Sequence, residues 1–314
     1  MSAAAGKKIL EVITSTEKVS AWPKVQGPEY ATMGPVHLDV IDTERSLTFW
    51  RDLIGLTIRD TKDAVTELGT EEKPLLVLHP GARRPHQRGY SGLYHVAVHL
   101  PDEPEFARIL ARLIAARHPI SPTDHIMSKA IYLNDPDRIM LELTLETPER
   151  VRKFEWDEAS GQPDIVDNEG RQRGGTEQLD VAEVLGHLQD RDFSRPLPHG
   201  TKIGHVHLHV GDLQEATRFY RDDLGFIANT NLPFFQMSDL YAGGRFPHRI
   251  ALNTWQGIGA PQAPEGTAGM RHFTIRYDAK ERLDRIVSGL AQVEAREDGN
   301  LTHDPAGNAV LLTA

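Results

Sequence analysis

Two stretches of the chain, VHLDVIDTERSLTFWRDLIGL at residues 36–56 and VHLHVGDLQEATRFYRDDLGF at residues 206–226, repeat one pattern. Each begins with the alternating residues typical of a strand. Each then changes to helical spacing after an aspartate that can cap a helix, Asp42 or Asp212. A glycine follows each helical part, Gly55 or Gly225, and fits its C-terminal end. The pattern predicts a repeated unit that begins with a strand and continues with a helix.

A weaker second pair of repeats is formed by GLYHVAV at residues 92–98 and GMRHFTI at residues 269–275. Each member is followed by a helical stretch, 105–116 or 280–291, and then by short strands with an Asp-Pro turn at Asp135 or Asp304. We therefore predict four βαβββ-like units, which cover residues 33–80, 90–146, 203–257 and 268–314.

These units divide the chain into regions. Residues 31–147 contain the first two units and are predicted to form one domain, and residues 203–314 contain the last two and are predicted to form a second. Residues 148–202 are charged and rich in Gly, Asp and Pro, so we predict a long connector with one helix at 178–188. Residues 1–30 are predicted to be an N-terminal extension.

Composition limits the function. The 314 residues are enough for two ordinary domains with their own cores. The chain has no cysteine, which excludes disulfides, thiolate zinc sites and cysteine nucleophiles, so a metal would have to use carboxylates and the 15 histidines. A formal net charge of −10 argues against binding to nucleic acid or to anionic membranes. No apolar run has the length of a membrane span and the first residues lack a signal-peptide core, so we expect a cytoplasmic protein.

The order of four βαβββ units resembles the vicinal oxygen chelate superfamily, which includes glyoxalase I, bleomycin-resistance proteins and extradiol dioxygenases. The resemblance covers nearly all of residues 33–314 except the connector. It implies an α+β fold in which the four modules face each other in pairs and form two cupped half-barrels, with a metal inside. A fold alone names no reaction, so the function depends on the site residues.

In this superfamily the metal ligands come from the first and the last strand of a unit. The matching first-strand positions hold Pro35, His95, His205 and His272, and the matching last-strand positions, seven residues beyond the Asp-Pro turns, hold Glu142 and Leu311. Proline and leucine cannot bind a metal. The resemblance therefore implies that His95, Glu142 and His205 form the triad of two histidines and one carboxylate that is expected of a non-haem Fe(II) oxygenase.

This triad requires unit two to face unit three and unit one to face unit four, which is similar to the arrangement in glyoxalase I proteins. The alternative pairs the units in sequence, as in many extradiol enzymes. It splits the triad, and neither half is then complete without a further ligand from His37, His79 or Asn253. Residue chemistry favours the first arrangement, which predicts no metal at His272.

Residues around Glu142 resemble the extradiol dioxygenase signature. PTDH at residues 122–125 is followed by IYLNDP at residues 131–136, so that a His, a Tyr and an Asp-Pro turn precede the metal-binding Glu. The resemblance implies that His125 and Tyr132 form hydrogen bonds to a deprotonated substrate oxygen. Arg138 departs from the pattern, which usually has Gly or Pro at that place.

The segment PHRIAL at residues 247–252 resembles the short strand that carries the acid–base histidine of catechol 2,3-dioxygenases. It implies that His248 takes a proton from the substrate and returns it during cleavage. The order of units is most similar to two-domain bacterial catechol 2,3-dioxygenases. The expected function is extradiol ring cleavage of a small aromatic diol with O2 at an Fe(II) site, and Mn(II) is the alternative metal because N and O ligands accept both ions.

Two other functions remain open. A glyoxalase-like isomerase or lyase would use Ni or Zn with four protein ligands, but LVLH at residues 76–79 and ALN at residues 251–253 offer no second carboxylate. A bleomycin-resistance-type module would bind a flat aromatic ligand and needs no triad. A homodimer agrees with base rates, although one chain could hold a complete site. Candidates for structural or site-lining roles are His37, His79, His207 and His209, and candidates for an aromatic wall are Phe234, Phe235, Tyr241 and Trp255.

Overall fold

The structure, a computed structural model, describes residues 27–156 and 162–314, so most of the predicted N-terminal extension lies outside the described residues. Each predicted unit forms one strand, one helix and three further strands. Unit one comprises β1 (Ala31–Val40), α1 (Thr43–Leu47), β2 (Thr57–Lys62), β3 (Val65–Gly69) and β4 (Pro74–Pro80). Unit two comprises β5 (Gly92–His99), α2 (Glu103–Ala115), β6 (Ser121–Asp124), β7 (Ser128–Asn134) and β8 (Met140–Glu146).

The connector contains secondary structure of its own. It forms β9 (Val151–Trp156), β10 (Pro163–Asp167), β11 (Gln172–Arg173), β12 (Glu177–Gln178) and α3 (Val181–Gly186). The helix lies inside the predicted range 178–188. Strands β9, β10 and β11 form a small separate sheet, and β12 pairs with β6. The connector is therefore attached to unit two by backbone hydrogen bonds.

The second half repeats the first. Unit three comprises β13 (Lys202–His209), α4 (Leu213–Arg218), β14 (Ile227–Leu232), β15 (Met237–Tyr241) and β16 (Ile250–Asn253). Unit four comprises β17 (Gly269–Tyr277), α5 (Lys280–Gly289), β18 (Glu294–Arg296), β19 (Gly299–His303) and β20 (Ala309–Thr313). Within the described residues, no helix is long and apolar enough to cross a membrane.

The helix signals of the repeat act as predicted. The side chains of Asp42 and Asp212 each accept a hydrogen bond from the backbone N–H three residues later. Both helices continue as short π-helices, and Gly55 (φ 98°) and Gly225 (φ 76°) follow in the left-handed region that glycine adopts without strain. The equivalent aromatic residues Trp50 and Tyr220 are completely buried in the core.

Two large sheets combine the units across the chain. One has the order β18-β19-β20-β17-β1-β4-β3-β2, and the other has the order β12-β6-β7-β8-β5-β13-β16-β15-β14. The antiparallel pair β1–β17 joins unit one to unit four, and the antiparallel pair β5–β13 joins unit two to unit three. The predicted α+β fold of four βαβββ modules in two open, cupped half-barrels is confirmed, with the cross-paired arrangement. The division into sequential domains at 31–147 and 203–314 stays a prediction.

Strand periodicity separates the core from the cup in the nine-stranded sheet. Side chains alternate between the two faces of a strand. On β5 and β13, Val96, Val98, Val206 and Leu208 are fully buried in the main hydrophobic core. The residues that alternate with them along the two strands, which include His95 and His205, therefore point to the opposite face, inside the cup.

Three histidines lie together in the other sheet. His37 on β1 pairs with His272 on β17, and their rings stack with centroids 3.9 Å apart. Nδ1 of His37 is 2.9 Å from Nε2 of His79. Burial lowers the pKa of His37 to about 3 and that of His272 to about 4, so both rings are neutral in the folded protein at pH 7.

This cluster predicts a loss of stability in acid. The pKa of each ring is lower in the folded state than the ordinary 6.5. The contribution of the neutral rings to the stability of the folded protein is therefore complete above pH 6.5 and is lost as the pH falls toward 4. We expect the free energy of unfolding, measured with urea, to decrease over this window. His272→Gln should remove the uptake of about one proton on unfolding. The slope of the unfolding free energy against pH should therefore decrease by ~1.4 kcal/mol per pH unit. Equal slopes in both proteins would contradict this account.

Candidate metal centre

Strand register brings the predicted triad together. Ala97 on β5 lies between Glu142 on β8 and His205 on β13, because it is the register partner of both. His95 precedes Ala97 by two residues and therefore points to the same face. His95, Glu142 and His205 are each only 2–3% exposed. Three neighbouring strands from two different units thus place two imidazoles and one carboxylate on a single face.

The three donor atoms form a nearly regular triangle. Oε2 of Glu142 is 2.9 Å from Nε2 of His95 and 3.1 Å from Nε2 of His205, and the two nitrogens are 3.1 Å apart. With metal–ligand bonds of about 2.1 Å, adjacent ligands are about 3.0 Å apart in an octahedron and about 3.4 Å apart in a tetrahedron. These three residues could hold a metal ion. The spacing of the three donor atoms is closer to that of adjacent octahedral ligands than to that of tetrahedral ligands.

Glu142 is fixed in a form suited to a cation. Thr144 donates a hydrogen bond of 2.9 Å from its hydroxyl to Oε1 of Glu142, which leaves Oε2 facing the two imidazoles. Burial raises the pKa of this carboxyl, but its close interactions with His205 and His95 outweigh burial and hold the pKa well below its usual range. Glu142 is therefore an anion at neutral pH. Burial lowers the pKa of His205, so this ring presents a lone pair to a metal.

Tyr132 and His125 form a hydrogen-bonded pair beside the triad. Tyr132 is the register partner of Glu142, and its hydroxyl is 3.0 Å from Nε2 of His125. Burial, reinforced by the charge of Glu142, raises the pKa of Tyr132 well above its usual value, so the hydroxyl keeps its proton. Nδ1 of His125 is 3.1 Å from the carbonyl oxygen of Gly175, in the connector. Arg138 has φ 65°, so the turn before Glu142 keeps a left-handed residue without glycine.

His248 lies on the other side of the triad, two residues before β16 begins. Its ring is buried and contacts the ring of His205, with centroids 4.5 Å apart. Nδ1 of His248 is 2.7 Å from Oδ2 of Asp239 on β15. A carboxylate can only accept a hydrogen bond, so Nδ1 carries the proton and the lone pair of the neutral ring is on Nε2. This tautomer leaves Nε2 as the ring atom that can accept a proton.

Aromatic rings extend from the triad toward the surface. Tyr94 contacts His95, with ring centroids 4.8 Å apart, and also contacts Trp255 at 5.3 Å. Trp255 is 46% exposed, and its indole N–H donates to the carbonyl oxygen of Phe235. Of the four residues predicted to form an aromatic wall, Trp255 is connected to the triad, through its ring contact with Tyr94. Phe234 is 80% exposed and Tyr241 is buried on β15.

His207 and His209 line the same face beyond the triad. Asn253 bridges them, because its side-chain amide donates to Nε2 of His207 at 2.8 Å and its oxygen is 2.7 Å from Nδ1 of His209. Burial lowers the pKa of both rings, to about 4 for His209. Both are neutral residues fixed by hydrogen bonds, in agreement with the structural or lining role that the sequence predicts.

Sequence reasoning missed Tyr94, His99 and Glu146. His99 follows His95 by four residues and Glu146 follows Glu142 by four, so each points to the same face as the candidate ligand on its own strand. The period of two along a strand was the signal that could have found His99 and Glu146. It could not have found Tyr94, which is adjacent to His95 and lies where the pairing of β5 with β13 shifts in register. Nδ1 of His99 is 2.8 Å from Oε1 of Glu146, and Nε2 of His99 is 3.0 Å from Nδ1 of His205.

Comparisons with known proteins agree with this fold. The family model of the glyoxalase/bleomycin resistance protein/dioxygenase superfamily matches residues 32–143 and 202–312. A curated catechol-2,3-dioxygenase from Bacillus subtilis (strain 168) is 33% identical over 287 residues, which cover 89% of this chain and 95% of that protein.

Two solved structures share the fold at low sequence identity. A crystal structure of a candidate dioxygenase from Bacillus subtilis subsp. subtilis str. 168 has a TM-score of 0.57 at 14% identity, and the match covers 91% of this chain and 86% of that one. A crystal structure of a glyoxalase I mutant from Zea mays has a TM-score of 0.51 at 14% identity, and the match covers 90% of this chain and 94% of that one. By its family model and by its curated relative, the chain belongs to the glyoxalase/bleomycin resistance protein/dioxygenase superfamily.

Proposed function

We propose that the protein is an extradiol ring-cleaving dioxygenase that acts on a catechol-type aromatic diol with O2 at an Fe(II) site. The observation that carries this proposal is the triangle of donor atoms from His95, Glu142 and His205, with sides of 2.9, 3.1 and 3.1 Å. Two histidines and one carboxylate with open positions are typical of non-haem Fe(II) oxygenases. The relative named catechol-2,3-dioxygenase supports the same reaction.

The surrounding residues suit a diol substrate. Fe(II), when bound, would supply a template for the diol and O2 and a path for electrons between them. Tyr132 and His125 form a hydrogen-bonding pair on one side, which we assign to orienting a substrate oxygen. His248 stands on the other side with its lone pair on Nε2, and we assign it to taking a proton from the diol. Tyr94 and Trp255 offer the aromatic surface that a planar ring can contact.

One position disfavours a glyoxalase-like isomerase. Glu142 on β8 is the register partner of Ala97 on β5, two residues after the ligand His95. In unit three the corresponding partner, two residues after His205, is Ala251 on β16. Alanine cannot supply the fourth protein ligand that a Ni or Zn isomerase site would use. A ligand-binding module without catalysis would need neither the triad nor an acid–base histidine.

The test is O2 consumption with iron and catechols. We expect the protein, purified without O2 and loaded with Fe(II), to consume one O2 for each catechol and form a yellow ring-cleaved product. The same protein loaded with Zn or Ni should be inactive on catechols and on a hemithioacetal. Absence of O2 uptake over a panel of substituted catechols, together with isomerisation of the hemithioacetal, would show a glyoxalase-like enzyme instead.

A further inference from the structure

A hydrogen-bonded chain of three residues extends from the triad to a cationic pair. His205, His99 and Glu146 form it, with nitrogen–nitrogen and nitrogen–oxygen distances of 3.0 and 2.8 Å. His99 is only 1% exposed, whereas the side chain of Glu146 is 23% exposed. Oε1 of Glu146 is also 3.1 Å from Nζ of Lys202 and 3.1 Å from Nη1 of Arg249. Burial raises the pKa of Glu146, but the hydrogen bond from His99 and the charges of Arg249 and Lys202 outweigh it and lower the pKa.

An ionised Glu146 sets the direction of every hydrogen bond in the chain. A carboxylate can only accept, so Nδ1 of His99 carries a proton and Nε2 of the neutral ring carries the lone pair. Nε2 of His99 then accepts from Nδ1–H of His205. The lone pair of His205 is consequently on Nε2, which is the atom that faces Glu142 and His95. In the opposite tautomer of His205, both Nε2 of His99 and Nδ1 of His99 would need protons at once.

Gly204 makes room for this arrangement. The pairing of β5 with β13 shifts in register between Ile203 and His205, so Gly204 is the extra residue of a β-bulge directly before the ligand. A Cβ atom at position 204 would overlap the imidazole ring of His99. The carbonyl oxygen of Gly204 also accepts a hydrogen bond of 3.1 Å from Arg249. The bulge and the missing side chain therefore place the ring of His99 against His205.

The other sheet provides an internal comparison. At the positions that correspond to His205, His99 and Glu142, it has Pro35, Arg276 and Leu311. That half keeps a histidine, His272, at the position equivalent to His95, but it lacks the other two ligands and the supporting histidine together. Packing alone does not require His99 at this place in the fold, because the equivalent strand tolerates arginine there.

We propose that His99 and Glu146 are positioning residues that hold His205 in the tautomer and orientation that bind the metal. This inference rests on the metal site of the proposed function. A carboxylate that fixes the second nitrogen of a ligand histidine is a common support of metal sites, and its loss typically weakens metal binding by about 10- to 100-fold. In this chain the carboxylate acts through an intervening imidazole.

The test measures metal affinity, not turnover. The full chain is titrated with Mn(II), and free Mn(II) is followed by electron paramagnetic resonance. We expect His99→Leu to weaken binding by about 10- to 100-fold, and Glu146→Gln to weaken it by about 10-fold. His99→Gln should recover part of the loss, since its amide can both accept from His205 and donate to Glu146. Gly204→Ala should weaken binding by displacing the ring, although it removes no polar group.

Controls separate this inference from the function on which it rests. His272→Gln removes a buried histidine from the other sheet and should bind Mn(II) as the unaltered protein does, and thermal unfolding checks that each variant is folded. If the unaltered protein binds Mn(II) and Glu142→Ala does not, the metal site is supported. Unchanged affinity in folded Glu146→Gln and His99→Leu would then overturn the positioning role alone. Equal Mn(II) binding by Glu142→Ala and the unaltered protein would overturn the metal site itself.

Discussion

Replacing Glu142 with alanine is expected to abolish stoichiometric metal binding while the protein stays folded. Glu142 supplies the only negative charge of the triad, and its Oε2 lies 2.9 and 3.1 Å from the two histidine nitrogens. Loss of a direct ligand should cost at least as much as loss of a supporting residue, so we expect affinity to fall by at least about 100-fold. Iron content after anaerobic loading, measured on the desalted protein, checks this result.

Two matched variants make the Glu142 experiment specific. Glu142→Gln keeps the size of the side chain and the hydrogen bond with Thr144 but removes the charge, so iron should be lost there too. His272→Gln changes a histidine at the repeat-equivalent position of His95, where the partner strand has Leu311 in place of a carboxylate. It should leave the iron content unchanged. Full iron occupancy in Glu142→Ala would reject the ligand assignment.

Much of this site could be predicted from sequence because the resemblance to the superfamily implies which strands carry ligands, and two regular features locate those positions in this chain. The constant offset between repeats identifies equivalent strand positions, and the period of two identifies the face on which each side chain lies. Neither feature specifies which unit pairs with which. The choice of units two and three came from the chemistry of Pro35 and Leu311, which cannot bind a metal, and the pairing of β5 with β13 agrees with it.

The partners that support the site could not be predicted in the same way. Asp239 contacts His248 because β15 pairs with β16. Gly175 contacts His125 because of the path of the connector, which the repeat does not determine. Glu146 was accessible from the strand period, but a carboxylate at the end of a strand is usually solvated. Only the placement of His99 between Glu146 and His205 gives this residue a connection to the site.

Asp239 is the reason to expect a defined role for His248. The Asp239 carboxylate is buried and also accepts hydrogen bonds from the backbone N–H of Thr230, at 2.8 Å, and from the side chain of Asn229. These bonds fix the carboxylate, which in turn fixes the His248 ring with its lone pair on Nε2. His248 is not one of the three triad residues, so its removal should separate the acid–base step from metal binding.

His248→Ala is therefore expected to keep iron and bind catechol but to slow turnover by about 100- to 10,000-fold, the usual effect of losing a general acid–base group. Iron content and anaerobic catechol binding establish that the site is loaded, and O2 uptake measures the rate. His303→Ala, at an exposed position on β19, controls for the loss of a histidine elsewhere. An unchanged rate in His248→Ala would remove its proposed role. A rate that falls only because iron is lost would instead make this ring a support for His205, which it contacts at 4.5 Å between centroids.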